Sequence, residues 1–290
     1  MSRQYSVLEH GMMLADRRRT SAYLAALRHA VRAGDIVVDV GSGTGIFAVE
    51  ACRAGARRVH AIEPGLIARV ARQVVVGNGC ADRVEILEQL SSDVTLGERA
   101  DVVILDVRGV LPDDQIWIAH DARARLLREG GRIIPESDTL WAAPVDADAL
   151  YDQHVRAWDA DVDGLDLAPL REKAVRRWYK CRTQPEQLVA AAARLGTILY
   201  AQAGTGEFHG TAEWTLASSR AVHGVVVWFE SQLDAERQLS NRPGEPELLY
   251  GQGFFPLEQP RVLAAGARVQ FALRAARTDS GHEWKWQVKV

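Results

Sequence analysis

The chain has three cysteines in 290 residues, Cys52, Cys80 and Cys181, and they are far apart in sequence. No C-x-x-C pair occurs. The count excludes a disulfide framework and a thiolate metal site, and it fits a reducing compartment. No apolar run approaches the ~18 residues that a membrane helix needs. The opening Met1-Ser2-Arg3-Gln4-Tyr5 has no signal-peptide character. A formal net charge of −3 gives no basic excess to grip nucleic acid. The eight histidines show no ligand spacing such as H-x-x-x-H on a helix. G-x-S-x-G does not occur, so no serine elbow is expected. Internal repeats and low-complexity tracts are also missing. These absences leave a soluble cytoplasmic protein with no metal, nucleic acid or membrane partner as the expectation.

What is present is enough to build a full core: 47% of the residues are hydrophobic and 25% charged. The length suggests one large domain or two ordinary ones. The most informative stretch is Val37-Val38-Asp39-Val40-Gly41-Ser42-Gly43-Thr44-Gly45, followed by Ile46-Phe47-Ala48-Val49-Glu50-Ala51-Cys52. It reads as a buried parallel strand, a tight glycine turn and a helix that starts at once. Glycines at such a turn supply positive φ and let backbone approach a ligand closely. A second apolar strand, Val59-His60-Ala61-Ile62, ends in Glu63, about twenty residues on, where a doubly wound sheet places an acid for ribose hydroxyls. That spacing fits NAD and S-adenosylmethionine alike, since both carry an adenosine. The loop is G-x-G-x-G rather than G-x-G-x-x-G, and the compact form better fits S-adenosylmethionine, which has no pyrophosphate to cradle.

Strand and helix patterns alternate from 35 to about 143. Strands are expected at Ile36–Val40, Val59–Ile62, Val84–Leu87, Val102–Leu105 and Gly131–Ile134, and helices near 46–54, 66–76 and 115–128. This is an α/β, Rossmann-like doubly wound domain. Residues 1–34 form an opening segment and a helix, capped by Thr20 or Ser21, with Tyr23, Leu24, Leu27, Ala30 and Val31 on its apolar face. After Pro135 the βαβ units stop. Short runs at Thr139–Val145, Thr197–Gln202, Thr211–Leu216, Val222–Phe229, Val269–Leu273 and Trp284–Val288 imply an antiparallel β-barrel or sandwich over 144–290. Turn clusters at 203–206 and 241–244 separate some of them. Residues 147–181 are polar, rich in Asp and too long for a simple loop, so they read as an arm or hairpin that contacts a partner.

Ligands of such sheets sit at the carboxyl ends of the strands. Glycines 41, 43 and 45, Glu63 and Asp106 all lie there. Asp106 is placed either to orient a nucleophile or take its proton, or to cap the next turn. Asp113 and Asp114 precede a helical run and fit capping and dipole compensation. In the basic cluster Asp16-Arg17-Arg18-Arg19, one arginine could turn inward to hold a carboxylate bidentately, or all could be solvated. Asp106 is followed by Val-Arg-Gly, which argues against the Asn/Asp-Pro-Pro-aromatic motif of nucleic-acid base methylation.

Nearly the whole chain resembles the protein arginine methyltransferase family. The carriers are His10-Gly11-Met12-Met13-Leu14-Ala15-Asp16-Arg17-Arg18-Arg19-Thr20-Ser21-Ala22-Tyr23, the glycine loop, Ala54–Glu63 and Gly130–Pro135. The resemblance implies an S-adenosylmethionine-dependent methyltransferase with a dimerisation arm at about 147–181, and hence a homodimer. It implies that Arg19 binds the cofactor carboxylate, that Gly41, Gly43 and Gly45 line its amino-acid and ribose part, and that Glu63 holds the ribose. His10 and Met13 would pack near the sulfonium, with Asp39 and Ser91 also in the cofactor set.

The chain departs from the family at the acceptor clamp. Two glutamates there fall on Asp106 and Gln115. The supporting Thr-His-Trp loop falls on Leu248-Leu249-Tyr250, and a methionine falls on Trp117. The clamp is therefore less acidic and more aromatic. On this basis the expected acceptor is a small molecule or modified amino acid, methylated on nitrogen or oxygen. Asp106 would orient or deprotonate it, Gln115 would hydrogen-bond it, and Tyr250 and Trp117 would shape the pocket. The alternatives are a protein or peptide arginine N-methyltransferase and a cofactor-binding protein without catalysis.

Overall fold

The computed structural model describes residues 5–202, 206–278 and 281–290. The turn cluster expected at 203–206 lies mostly outside the described residues. The chain opens with two helices where one was expected. Helix α1 (Val7–Ala15) starts in a capping box between Ser6 and Glu9. Helix α2 (Arg17–Ala30) is capped by Asp16, which accepts from the Arg19 backbone N–H, so neither Thr20 nor Ser21 caps it. Asp16 had been read as part of the basic cluster, yet an acid just ahead of a helical run is itself a cap signal.

Then follow β1 (Ile36–Val40), α3 (Ile46–Arg53), β2 (Arg58–Ile62), α4 (Ala68–Gly77), β3 (Val84–Leu87), β4 (Ala100–Leu105), α5 (Asp113–Arg125) and β5 (Leu127–Ile134). The five strands form a parallel sheet in the order β3-β2-β1-β4-β5. Chain direction across the sheet reverses between β1 and β4. Register puts Val40 level with both Ile62 and Leu105, and Ile62 level with Leu87. The next residues, Gly41, Glu63 and Asp106, therefore leave the sheet side by side at its switch point, where such sheets open a crevice. β1 is buried throughout, as a central strand covered on both faces must be.

Beyond a cis Ile134–Pro135 bond the architecture becomes antiparallel. The strands are β6 (Ser137–Val145), β7 (Tyr179–Cys181), β8 (Ala193–Leu199), β9 (Phe208–Thr215), β10 (Arg220–Gln232), β11 (Gln238–Ser240), β12 (Gln252–Leu263), β13 (Arg268–Thr278) and β14 (Gly281–Lys289). One sheet runs β7-β12-β10-β6-β8, with β11 on β10, and a second runs β14-β13-β9. Strand β12 was not expected. Gly253, Pro256 and Pro260 hide it in the sequence. The structure accommodates Pro256 opposite Gly224, beside an irregularity in the β10–β12 ladder.

The segment 147–181 is helical rather than a hairpin. It holds helices α6 (Asp148–His154) and α7 (Ala168–Val175) with a 3-10 turn between them. His223 anchors its base: Nδ1 accepts from the Ala147 N–H, and Nε2 lies 3.1 Å from Asp148. The Tyr151 hydroxyl reaches the Glu258 carbonyl. Further out, Trp158, Val162, Leu165 and Leu170 are exposed.

Candidate active site

The glycine loop spends its backbone donors internally. The N–H groups of Gly41 and Ser42 both bond the Ile62 carbonyl, that of Gly45 bonds Ser42, and that of Gly43 bonds a Glu63 oxygen. None of these four is left to cradle a phosphate, which favours a donor without pyrophosphate. Gly43 has φ +52, and a methyl group there would lie 2.9 Å from the His10 ring. Helix α1 thus closes directly onto the loop, and only glycine admits it. Burial lowers the pKa of His10, partly countered by Glu63, and favours the neutral imidazole.

Glu63 is held by two backbone donors, Gly43 at 3.0 Å and Gly65 at 2.7 Å, one on each carboxylate oxygen. A carboxylate fixed this way still offers a lone pair on each oxygen, which suits a vicinal diol such as ribose. Asp39 is buried beneath the loop, and burial lifts its carboxyl to about 7, eased by the Ala48 N–H. Its Oδ2 has no hydrogen-bond partner. Ser91 opens a short 3-10 turn beyond β3, its carbonyl accepting from Arg125.

Arg19 is buried and turns inward, which was one of the two readings left open for the basic cluster. Its Nη2 pairs with Asp106, its Nε donates to the Tyr250 hydroxyl at 3.0 Å, and its Nη1 donates to the Met13 carbonyl at 3.2 Å. Tyr250 in turn donates to Asp106 Oδ1 at 2.7 Å. Burial is the largest single influence and works against the Arg19 cation, but Asp106, Tyr250 and Tyr23 together outweigh it and raise the pKa. Burial and Asp106 together keep the Tyr250 phenol neutral. The loop bearing Tyr250 is tied down by the Leu249 N–H, which donates to Asp16 Oδ2 at 2.8 Å.

A second buried chain lies alongside. Arg108 Nη1 donates to both oxygens of Asp138, at 2.8 and 2.7 Å. Tyr200 donates to Asp138, and Gln115 Nε2 donates to the Tyr200 hydroxyl at 2.9 Å. Gln115 is fully buried, and its Oε1 has no partner. Trp117 lies elsewhere on α5, tilted against His120 and packed toward Gly206. The structure thus joins Arg19, Asp106, Tyr250 and Met13 in one cluster, and His10, Gly43 and Glu63 in another. Arg108, Asp138 and Tyr200 were not picked out from the sequence. A visible signal was the arginine two residues after Asp106, just past the end of β4, where the ligand crevice was expected.

The model for ribosomal protein L11 methyltransferase matches residues 16–135, and that for the arginine methyltransferase oligomerization subdomain matches residues 136–285, just over half of the chain. The chain belongs to the arginine methyltransferase family. It is an S-adenosylmethionine-dependent methyltransferase on that scaffold. It is 29% identical over 279 residues to an arginine N(omega)-methyltransferase of Streptomyces achromogenes subsp. streptozoticus, covering 93% of this chain and 76% of that protein. A probable histone-arginine methyltransferase 1.3 of Arabidopsis thaliana is also 29% identical, over 91% of this chain but only 52% of its own length. The Trypanosoma brucei PRMT1 enzyme–prozyme heterotetrameric complex with AdoHcy shares the fold, with a TM-score of 0.86 at 22% identity over 97% of this chain and 92% of that one. Among the described residues, no group of three or more potential ligands could hold a metal, and no helix is long and apolar enough to cross a membrane.

Proposed function

We propose that this enzyme transfers the methyl group of S-adenosylmethionine to a guanidino nitrogen of arginine. The sequence placed another small molecule or modified amino acid first and protein or peptide arginine second. The named relatives are arginine methyltransferases, and they favour an arginine acceptor. The observation that carries the reading is the position of Asp106. It leaves the sheet level with the glycine loop and Glu63, so one crevice serves donor and acceptor.

When bound, the donor supplies a methyl group already activated by a sulfonium. The chain's task is therefore alignment and charge placement. Glu63 and His10 bracket the nucleoside side of the crevice. Arg19 takes the donor's carboxylate, for which its guanidinium fork is suited. That move loosens its hold on Asp106, which can then receive the cationic guanidino group, orient one nitrogen toward the methyl and accept the proton that nitrogen sheds as the N–CH3 bond replaces the S–CH3 bond. Gln115 Oε1 supplies a neutral acceptor where the family has a second acid, and Tyr250 fixes the Asp106 rotamer. The arm supports a homodimer, with its exposed apolar side chains meeting a second copy.

The test is methyl transfer from labelled S-adenosylmethionine to L-arginine and to arginine-containing peptides, with the product nitrogen located by mass spectrometry. Transfer to a guanidino nitrogen, abolished by Asp106→Ala, is the expected result. Label appearing on oxygen or on a non-guanidino nitrogen would overturn the reading.

A further inference from the structure

Arg108 is buried, and it makes two hydrogen bonds to side chains from a guanidinium that carries five N–H donors. Nη1 alone serves Asp138, while Nε and Nη2 have no partner. An unsatisfied buried donor forfeits its hydration without recompense, so native structures rarely leave one without a water or ligand. The two free groups are not scattered. Nε and Nη2 form the side-on edge of the guanidinium, whose two parallel N–H vectors match the two oxygens of a carboxylate. The Phe229 ring lies 3.4 Å from the guanidinium carbon and holds its plane. The same carbon is 5.6 Å from the centre of the Tyr250 ring, whose hydroxyl bonds Asp106.

Charge counting points the same way. Two buried arginine–carboxylate pairs lie at the acceptor end: Asp106 has Arg19, and Asp138 has Arg108. With Arg19 turned to the donor's carboxylate, an acceptor bringing only positive charge would satisfy Asp106 and leave the Nε and Nη2 donors of Arg108 unmet. An acceptor with a positive and a negative end would satisfy both Asp106 and Arg108.

We infer that Arg108 is a specificity residue that holds the acceptor's own carboxylate, so that the enzyme takes arginine with a free α-carboxyl group rather than arginine within a chain. This rests on the guanidino reading above. The free amino acid and a peptide ending in arginine both carry that group, and the assay separates them.

Binding and turnover are measured with the protein loaded with S-adenosylhomocysteine or S-adenosylmethionine. The probes are L-arginine, agmatine (which lacks only the carboxylate), L-citrulline (which lacks the guanidinium charge), a peptide with C-terminal arginine and the same peptide amidated. Wild type should prefer L-arginine over agmatine by at least about tenfold, the scale of a charge-assisted hydrogen bond. Arg108→Met removes the cation and leaves Asp138 unpaired, so it is paired with Asp138→Asn. Arg108→Lys keeps a cation beside Asp138 but loses the side-on edge. In both the tenfold gap should shrink toward unity, with S-adenosylhomocysteine affinity unchanged. Preference for the free acid of the peptide over its amide would extend the contact to chain ends. Should agmatine match L-arginine in wild type, should the gap survive in both variants, or should no carboxylate probe bind, the inference is overturned. If citrulline binds in an Arg108-dependent way while arginine is neither bound nor methylated, the guanidino reading fails and the carboxylate contact stands.

Discussion

Arg19 and Asp106 form a buried ion pair, and in the proposed function each partner has a competing role, Arg19 toward the donor's carboxylate and Asp106 toward the acceptor. The Tyr250 hydroxyl bridges them by accepting from one and donating to the other. Removing the acid should therefore act in opposite directions on the two ligands. In Asp106→Asn, calorimetry should show S-adenosylhomocysteine binding several-fold tighter, because Arg19 is no longer shared. Turnover should fall by at least about a hundredfold, since the acceptor loses its charged orienting group. Donor affinity that fell together with turnover would show that the pair acts only as structure.

Glu63 fastens the glycine loop through both oxygens. Glutamine at this position can accept on one side only and presents an amide donor to a backbone N–H on the other. Glu63→Gln should cost about 1–3 kcal/mol of stability and weaken S-adenosylhomocysteine binding at least tenfold, read by thermal melting and calorimetry. Lost stability with unchanged affinity would confine Glu63 to holding the loop.

Asp39 links stability to pH. Its carboxyl titrates near 7 in the folded protein, well above the ordinary value near 4. Between those values the folded state holds a proton that the unfolded chain has released. The contribution is complete below about pH 4, declines through the window and is gone above about pH 7, with a slope of ~1.4 kcal/mol per pH unit. Urea denaturation at pH 5 and pH 7 should show wild type losing on the order of 2 kcal/mol more than Asp39→Asn across that interval. Identical pH profiles for the two proteins would contradict the assignment.

The arm exposes Leu165 at 64% and Trp158 at 39%. Light scattering at micromolar concentration should give twice the chain mass. Leu165→Glu combined with Trp158→Ala should give the monomer, with secondary structure intact by circular dichroism. Persistence of the dimer in that variant would move the interface off the arm.

Much of the first half was legible because its signals are local. A β-branched run, three alternating glycines and an acid at the end of the next strand fix β1, the loop and Glu63 without long-range information. The N-terminal caps were partly misread, because Asp16 sits in an arginine-rich run that looks like a solvated face. Strand β12 was hidden for a different reason. Its glycine and prolines oppose strand propensity, and only pairing with β10 and β7 compensates. The partners within the site were the least legible feature. Asp106 could be placed by its position, but that Arg19 already neutralises it, and that Arg108 finds Asp138 and Tyr200, depends on contacts between residues far apart in sequence. Gln115 illustrates the limit: the family resemblance assigned it to the acceptor, but that its amide nitrogen is taken by Tyr200 and only its Oε1 lacks a partner depends on the fold.

Tyr250, Tyr200 and Asp138 come from the antiparallel half, while the glycine loop, Glu63 and Asp39 come from the parallel half. The acceptor end therefore draws on both stretches of the gene, since Asp106, Arg108 and Gln115 precede Pro135. Exchanging the later stretch alone among homologues would part Asp106 and Arg108 from Tyr250 and Asp138, so a graft for a new acceptor has to carry the 106–115 segment with it.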